Sequence, residues 1–150
     1  ALAIPLGHAI GRVGCFLGGC CFGTECSLPW AVVYPEGSVA HLTQMTIGLI
    51  PETATASLPV HPTPIYEIIF NLALFAYFWI KRDSFRVRGS MFRLYLVLYG
   101  SFRLLEEFVR GDSPMPDAGF MKPVQWLLLF AVFYFARIFY NNELKPKTAS

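Results

Sequence analysis

The chain has 150 residues, of which 55% are hydrophobic and 15% charged, with a formal net charge of +2 at pH 7. A mean hydropathy of +0.48 in so short a chain excludes an ordinary soluble domain and predicts a polytopic membrane protein. The charges are clustered, and no basic stripe interleaved with aromatics lies outside the apolar runs, so nucleic acid is not an expected partner.

The first predicted element runs from Ala1 to about Phe22, long enough to span a bilayer at roughly 1.5 Å per residue. The chain opens inside this apolar run, with no charged n-region and no small-residue cleavage site. That is not a signal peptide; it predicts the C-terminal portion of a longer protein. Gly7, Gly11, Gly14 and Gly18 recur at helical spacing and predict a bare stripe that another backbone can approach. Arg12 sits within the run, where a charge is costly and needs a reason. Two readings stay open: a functional cation beside the thiol of Cys15, one turn on, or a packing stripe whose arginine snorkels to an interface.

The four cysteines are spaced C-x4-C-C-x4-C, which is neither a zinc pairing nor a redox C-x-x-C. No metal and no cofactor is expected, and the cysteines read as small hydrophobes. The alternative is a non-catalytic membrane protein with a cysteine metal-binding or redox-sensing site. On a continuous helix Cys15 and Cys20 lie about 140° apart at roughly 3.6 residues per turn. Their convergence would require a break near Gly18-Gly19.

Residues 36–64 predict a long irregular connection rich in Gly, Pro, Ser and Thr. It ends in HPTPIYE (61–67), where Thr63 is a plausible N-cap, Pro64 a first helical residue and Glu67 a first-turn acid favoured by the helix dipole. Ile65 to Ile80 is the second predicted span. Lys81, Arg82, Arg86, Arg88 and Arg93 cluster around the loop that follows, and the positive-inside rule makes that loop cytoplasmic. The 36–64 connection then lies outside. Ser90 to about Phe108 runs outward, residues 109–122 lie outside, and Pro123 to about Tyr140 returns to a cytoplasmic C-terminus with Lys145 and Lys147. Arg103 stands about 20 Å above Ser90 at helical rise. Arg103 with Glu107, and Glu106 with Arg110, share faces at i, i+4 spacing. Gln125 and Trp126 are expected at the outer interface.

Two guanidiniums at outer-leaflet depth suit a lipid phosphodiester, because arginine binds phosphate bidentately and keeps its charge. Arg12 and Arg103 are expected to face one cavity.

GRVGCFLGGCCFG (11–23), the following PW with a short apolar run and Pro, HPTPIYE and YGSFRLLEEFVR (99–110) together resemble the prolipoprotein diacylglyceryl transferases, over nearly the whole chain. The resemblance implies an all-α, polytopic membrane helix bundle. This chain would supply about four transmembrane helices and the irregular outer-side connection, as a single transmembrane domain over 1–150 and the C-terminal portion of a seven-helix protein. It implies a bacterial inner-membrane enzyme that moves the diacylglyceryl group of phosphatidylglycerol onto a prolipoprotein lipobox cysteine, with those two substrates and the bilayer as partners. Arg12 matches the family's phosphatidylglycerol-binding arginine and Gly23 the glycine closing that motif. Arg103 and Glu107 match the arginine and glutamate of a later helix. His61, Tyr66 and Glu67 match a histidine–tyrosine–glutamate stretch. The implied catalytic residues are Arg103, Glu107 and His61; the implied substrate-binding residues are Arg12, Cys15, Gly23, Tyr66 and Glu67. Cys15 stands where the family commonly has Asn, Cys20 where it has Glu, and Thr63-Pro64 where it has Ser-Gln.

The charge asymmetry carries a test. A cysteine placed at position 84 on a cysteine-free background is expected to resist membrane-impermeant labelling from outside intact cells, and outside labelling there would reverse the orientation.

Overall fold

The computed structural model describes residues 2–85, 87–109 and 123–141. The described structure is helical: α1 (Ala3–Leu17), α2 (Val39–Thr46), α3 (Thr63–Lys81), α4 (Ser90–Glu106) and α5 (Pro123–Phe139), with a short 3-10 turn at Arg82–Ser84. Among the described residues, extended pairing is limited to the isolated bridges Glu25–Val60, Val32–Val60 and Pro35–Ala56. One helical stretch, Thr63–Ser84, is long and apolar enough to cross a membrane; α1 and Gln125–Phe139 are apolar but shorter. The chain divides into two units, residues 8–70 with 108–109, and residues 2–7 with 71–107 and 123–141.

In the first unit, the predicted opening span ends early, at Leu17 rather than near Phe22. Gly19 takes φ +64°, its N–H donates to the Phe16 carbonyl at 3.2 Å, and the Cys20 N–H reaches back to the Cys15 carbonyl at 3.1 Å. That pair of bonds, with glycine in the left-handed region, is a Schellman C-cap. The glycine stripe meets no described neighbour at Gly7, Gly11 or Gly14, where an added Cβ would find open space.

The 36–64 connection is more ordered than its composition predicts. It contains α2, whose N-cap is Ser38, with Oγ accepting from the His41 N–H at 3.2 Å. Gln44 accepts from the Leu58 N–H at 2.7 Å, and His41 Nε2 meets the Ala54 carbonyl at 2.8 Å. Ser57 accepts from the Tyr34 N–H at 2.9 Å. Ala40, His41, Gln44 and Ser57 are buried. Buried backbone polar groups must find partners, and these side chains supply them. A core of Phe22, Tyr34, Ala40 and Val60 closes beneath, flanked by Phe16 and Val32.

Thr63 is not the N-cap: it lies inside α3, and its hydroxyl donates to the Cys21 carbonyl. The first helical N–H groups, of Ile65 and Tyr66, instead reach the Pro62 carbonyl.

In the second unit α4 packs on α5, with Val132 against Gly100. Buried Tyr95 donates to Asn71 Oδ1 at 3.4 Å and stacks on Tyr99 at 5.6 Å. Gln125 is buried within this unit, and Trp126 beside it is exposed. Arg86, Arg110, Lys145, Lys147 and residues 111–122 lie outside the described residues.

At Gly23 the chain packs tightly against the segments carrying His61 and Val109. The Gly23 N–H donates to the His61 carbonyl at 2.8 Å. A Cβ there would stand 2.5 Å from His61 Cβ and 2.6 Å from the Val109 carbonyl oxygen. Gly23→Ala is expected to destabilise by about 1–3 kcal/mol, as forced overpacking does. The check is thermal unfolding of the solubilised protein, and an unchanged midpoint would show that the backbone yields freely.

Candidate functional site

The Schellman turn decides what surrounds Arg12. By ending α1 at Leu17 it lets the chain reverse, and Cys21 follows in the left-handed region at φ +57°, a conformation that strains a residue with a side chain. The reversal carries Cys21 back to the helix it has just left. Arg12 Nη1 lies 3.4 Å from Cys21 Sγ and 3.9 Å from Cys15 Sγ.

On its other side Arg12 meets α3. Arg12 Nε and Glu67 Oε2 are 2.7 Å apart, and His8 Nε2 stands 3.6 Å from the same oxygen. Glu67 is 1% exposed, which decides its role: a buried carboxylate needs a paired cation far more than a helix needs a dipole partner. It also falls beyond the first turn of α3, which holds no acid, so the predicted dipole role is replaced by the ion pair. His8 and Arg12 share a face at i, i+4 spacing, and both reach Glu67. His8 is absent from the residues singled out by the sequence; its spacing from Arg12 was the available signal.

His61 and Tyr66 join on the same α3 entry. His61 Nδ1 is 3.1 Å from the Tyr66 hydroxyl, which accepts from Trp30 Nε1–H at 2.9 Å. With its oxygen taking the indole proton, Tyr66 can donate its own to Nδ1, leaving the imidazole proton on Nε2. The His61 backbone is held too: its N–H donates to the Thr24 carbonyl at 3.0 Å while its carbonyl accepts from Gly23. Trp30 is the recruit here that the motifs did not predict, through its indole N–H on the Tyr66 hydroxyl.

Within the second unit, Arg103 near the end of α4 binds two carboxylates. Its Nη1 pairs with Glu106 Oε2, and its Nη2 lies 3.5 Å from Glu107 Oε2. Both glutamates are buried. The i, i+4 pair with Glu107 forms as predicted. Glu106 turns to Arg103 at i, i+3, while Arg110 lies outside the described residues.

Arg12, Cys15, Gly23, His61, Tyr66 and Glu67 therefore all fall in the unit formed by residues 8–70 and 108–109, and Arg103 and Glu107 fall in the other.

Comparison with known proteins bears on the same motifs. The sequence matches the family described as prolipoprotein diacylglyceryl transferase over residues 1–140. Among proteins named phosphatidylglycerol–prolipoprotein diacylglyceryl transferase, it is 32% identical to that of Clostridium tetani over 131 residues, covering 87% of this chain and 46% of the relative. Identity to the Bordetella avium protein is 35% over 129 residues, 84% of this chain and 42% of the relative. Identity to the protein of Dehalococcoides mccartyi strain 195 is 38% over 115 residues, 75% and 39% respectively. The chain thus spans about half or less of the length of these relatives. No solved structure matches it. With the match running unbroken from the arginine–thiol turn through the Glu67 helix to the Arg103 helix and beyond, the chain belongs to the prolipoprotein diacylglyceryl transferase family.

Proposed function

We propose that the protein transfers the diacylglyceryl group of phosphatidylglycerol to the cysteine thiol of a prolipoprotein lipobox. The observation that carries this reading is the Arg12–Glu67 pair at 2.7 Å. It joins two motifs 55 positions apart in the chain and holds a guanidinium by a buried carboxylate, the kind of support a bidentate anion site needs.

The reaction is a displacement at the glycerol carbon that carries the phosphate oxygen. The thiolate sulfur of the acceptor forms the C–S bond, the C–O bond breaks, and glycerol phosphate leaves with the electron pair. The thiol proton passes to a base and then to the departing phosphate or to solvent. Arg12 binds the phosphodiester, and Arg103 stabilises the charge that gathers on the leaving group. Glu67 fixes the orientation of Arg12, and Glu106 and Glu107 that of Arg103. His61, oriented by Tyr66, is the proton-handling candidate of its unit, and Glu107 that of the other. Cys15 lines the phosphate side of Arg12, and Gly23 lets residues 23–24 pack against His61.

The enzyme works in the bacterial inner membrane as a multi-pass protein, with α1, α3, α4 and α5 as spans and both residues 83–89 and the C-terminus cytoplasmic. The length and apolarity of Thr63–Ser84 and the basic residues beside it support that orientation.

Lysine should fail where the fork geometry matters. Arg12→Lys and Arg103→Lys, in the full-length protein with phosphatidylglycerol and a lipobox peptide, are each expected to lower turnover by about 10²-fold or more, the usual loss of a transition-state donor. Normal turnover in both would refute bidentate phosphate recognition. Glu67→Gln keeps the shape and loses the charge, so it is expected to raise KM for the lipid as well as lower kcat. A fall in stability with both kinetic constants intact would make Glu67 a purely structural partner.

A further inference from the structure

The turn after α1 brings three thiols together. The sulfurs of Cys15, Cys20 and Cys21 all lie within 4.8 Å of one another. A Schellman cap places the side chains two residues past the helix end and in its last turn side by side, a contact that is usually hydrophobic. Here those positions are Cys20 and Cys15, and the Cys20 thiol also reaches the Cys15 carbonyl at 3.5 Å. Cys21 then adopts its left-handed conformation, locked by the Thr63 hydroxyl on its carbonyl, and adds the third sulfur. The spacing C-x4-C-C matches no common metal motif because the cluster depends on a helix end rather than on a loop between paired cysteines.

We propose that Cys15, Cys20 and Cys21 form a three-thiolate site for a soft d10 metal ion of the Cu(I) or Zn(II) class. The proposal stands beside the transferase reading and does not depend on it. At a metal–sulfur distance of about 2.3 Å, thiolates around one ion stand about 3.8 Å apart, so these sulfurs need only a small closing movement. Thiolates select such ions over hard cations. No His, Asp or Glu joins the group among the described residues, which favours a three-coordinate Cu(I) or a Zn(II) that keeps water as its fourth ligand. As the ion enters, three thiol protons leave and three metal–sulfur bonds form.

The surroundings suit the charge. Three thiolates with a monovalent ion carry two net negative charges, and with a divalent ion one. Arg12 Nη1, 3.4 Å from Cys21 Sγ, offsets that charge rather than repelling the complex. Tyr34 packs its ring on Gly19, the hinge of the turn. Its hydroxyl is buried with no hydrogen-bond partner. A disulfide would use two of the sulfurs, require an external oxidant and leave the third without a role.

The experiment uses the full-length protein, purified in detergent under reductant. Cu(I) and Zn(II) are titrated separately against a chromophoric competitor, and thiol alkylation is then mapped by mass spectrometry. The expected result is one ion bound per chain, with Cys15, Cys20 and Cys21 protected from alkylation and Cys26 still modified. That readout needs no variant and no enzymatic activity. Cys20→Ser is expected to weaken binding at least tenfold, whereas Cys26→Ser leaves it unchanged. Equal alkylation of all four cysteines in the presence of either ion, or metal binding that Cys20→Ser leaves unweakened, would overturn the site. So would recovery of two of the three as a disulfide from the protein purified under reductant.

Discussion

A buried carboxylate cannot stand alone, and the Arg12–Glu67 ion pair is the constraint around which residues 8–70 are arranged. Removing one partner of such a pair costs about 3–5 kcal/mol, because the other is left charged and out of water. The pair ties the last turns of α1 to the opening of α3, two segments separated by more than 40 residues of chain. Everything between them must therefore fold back on itself. His8, at 3.6 Å from the same carboxylate oxygen, reinforces the tie from the turn before.

The connection meets that demand with polar side chains turned inward. Ser38, His41, Gln44 and Ser57 satisfy backbone groups that a compact loop would otherwise bury without partners. The paired Val32 and Val60 backbones then bring residues 23–26 alongside 59–61. His61 is placed by this scaffold before any catalytic demand is considered. Its backbone is clamped by Gly23 and Thr24, and its ring is fixed by Tyr66, which Trp30 holds in turn. The lack of a Cβ at Gly23 is a condition for the clamp. That gives the glycine closing the arginine motif a packing reason, independent of any ligand.

The same turn gives the site its unusual chemistry. At this turn the chain presents Cys15 and Cys20, with Cys21 turned toward them. Thiols hydrogen-bond weakly and instead offer soft, polarisable ligand atoms. Arg12 thus stands between a hard partner, Glu67, and a soft cluster, and both bear on the orientation of its fork.

Much of this was readable from the residues in order. Apolar runs bounded by prolines and basic clusters located α1, α3, α4 and α5 to within a few residues at most ends, because helix length and hydropathy are local properties. The i, i+4 pairing of Arg103 with Glu107 was equally local. The resemblance of the chain's motifs to those of the family singled out Arg12, Gly23, His61, Tyr66 and Glu67 as candidates. What it could not assign was the partner of each. The early stop of α1 hinged on Gly19 adopting positive φ, whereas its glycine-rich composition was equally compatible with a helix continuing to Phe22. The short α2 was hidden because its stability comes from Ser38, His41 and Gln44 bonding across the connection rather than from an apolar period. Glu67 looked like a helix-dipole acid until burial, a property of the folded chain alone, demanded a cation. The convergence of Cys15, Cys20 and Cys21 likewise exists only after the chain has turned, since on an unbroken helix the first two point to different sides. Helices follow from neighbours in sequence; ion pairs, clamps and thiol clusters follow from neighbours in space, and those are set when the connection closes.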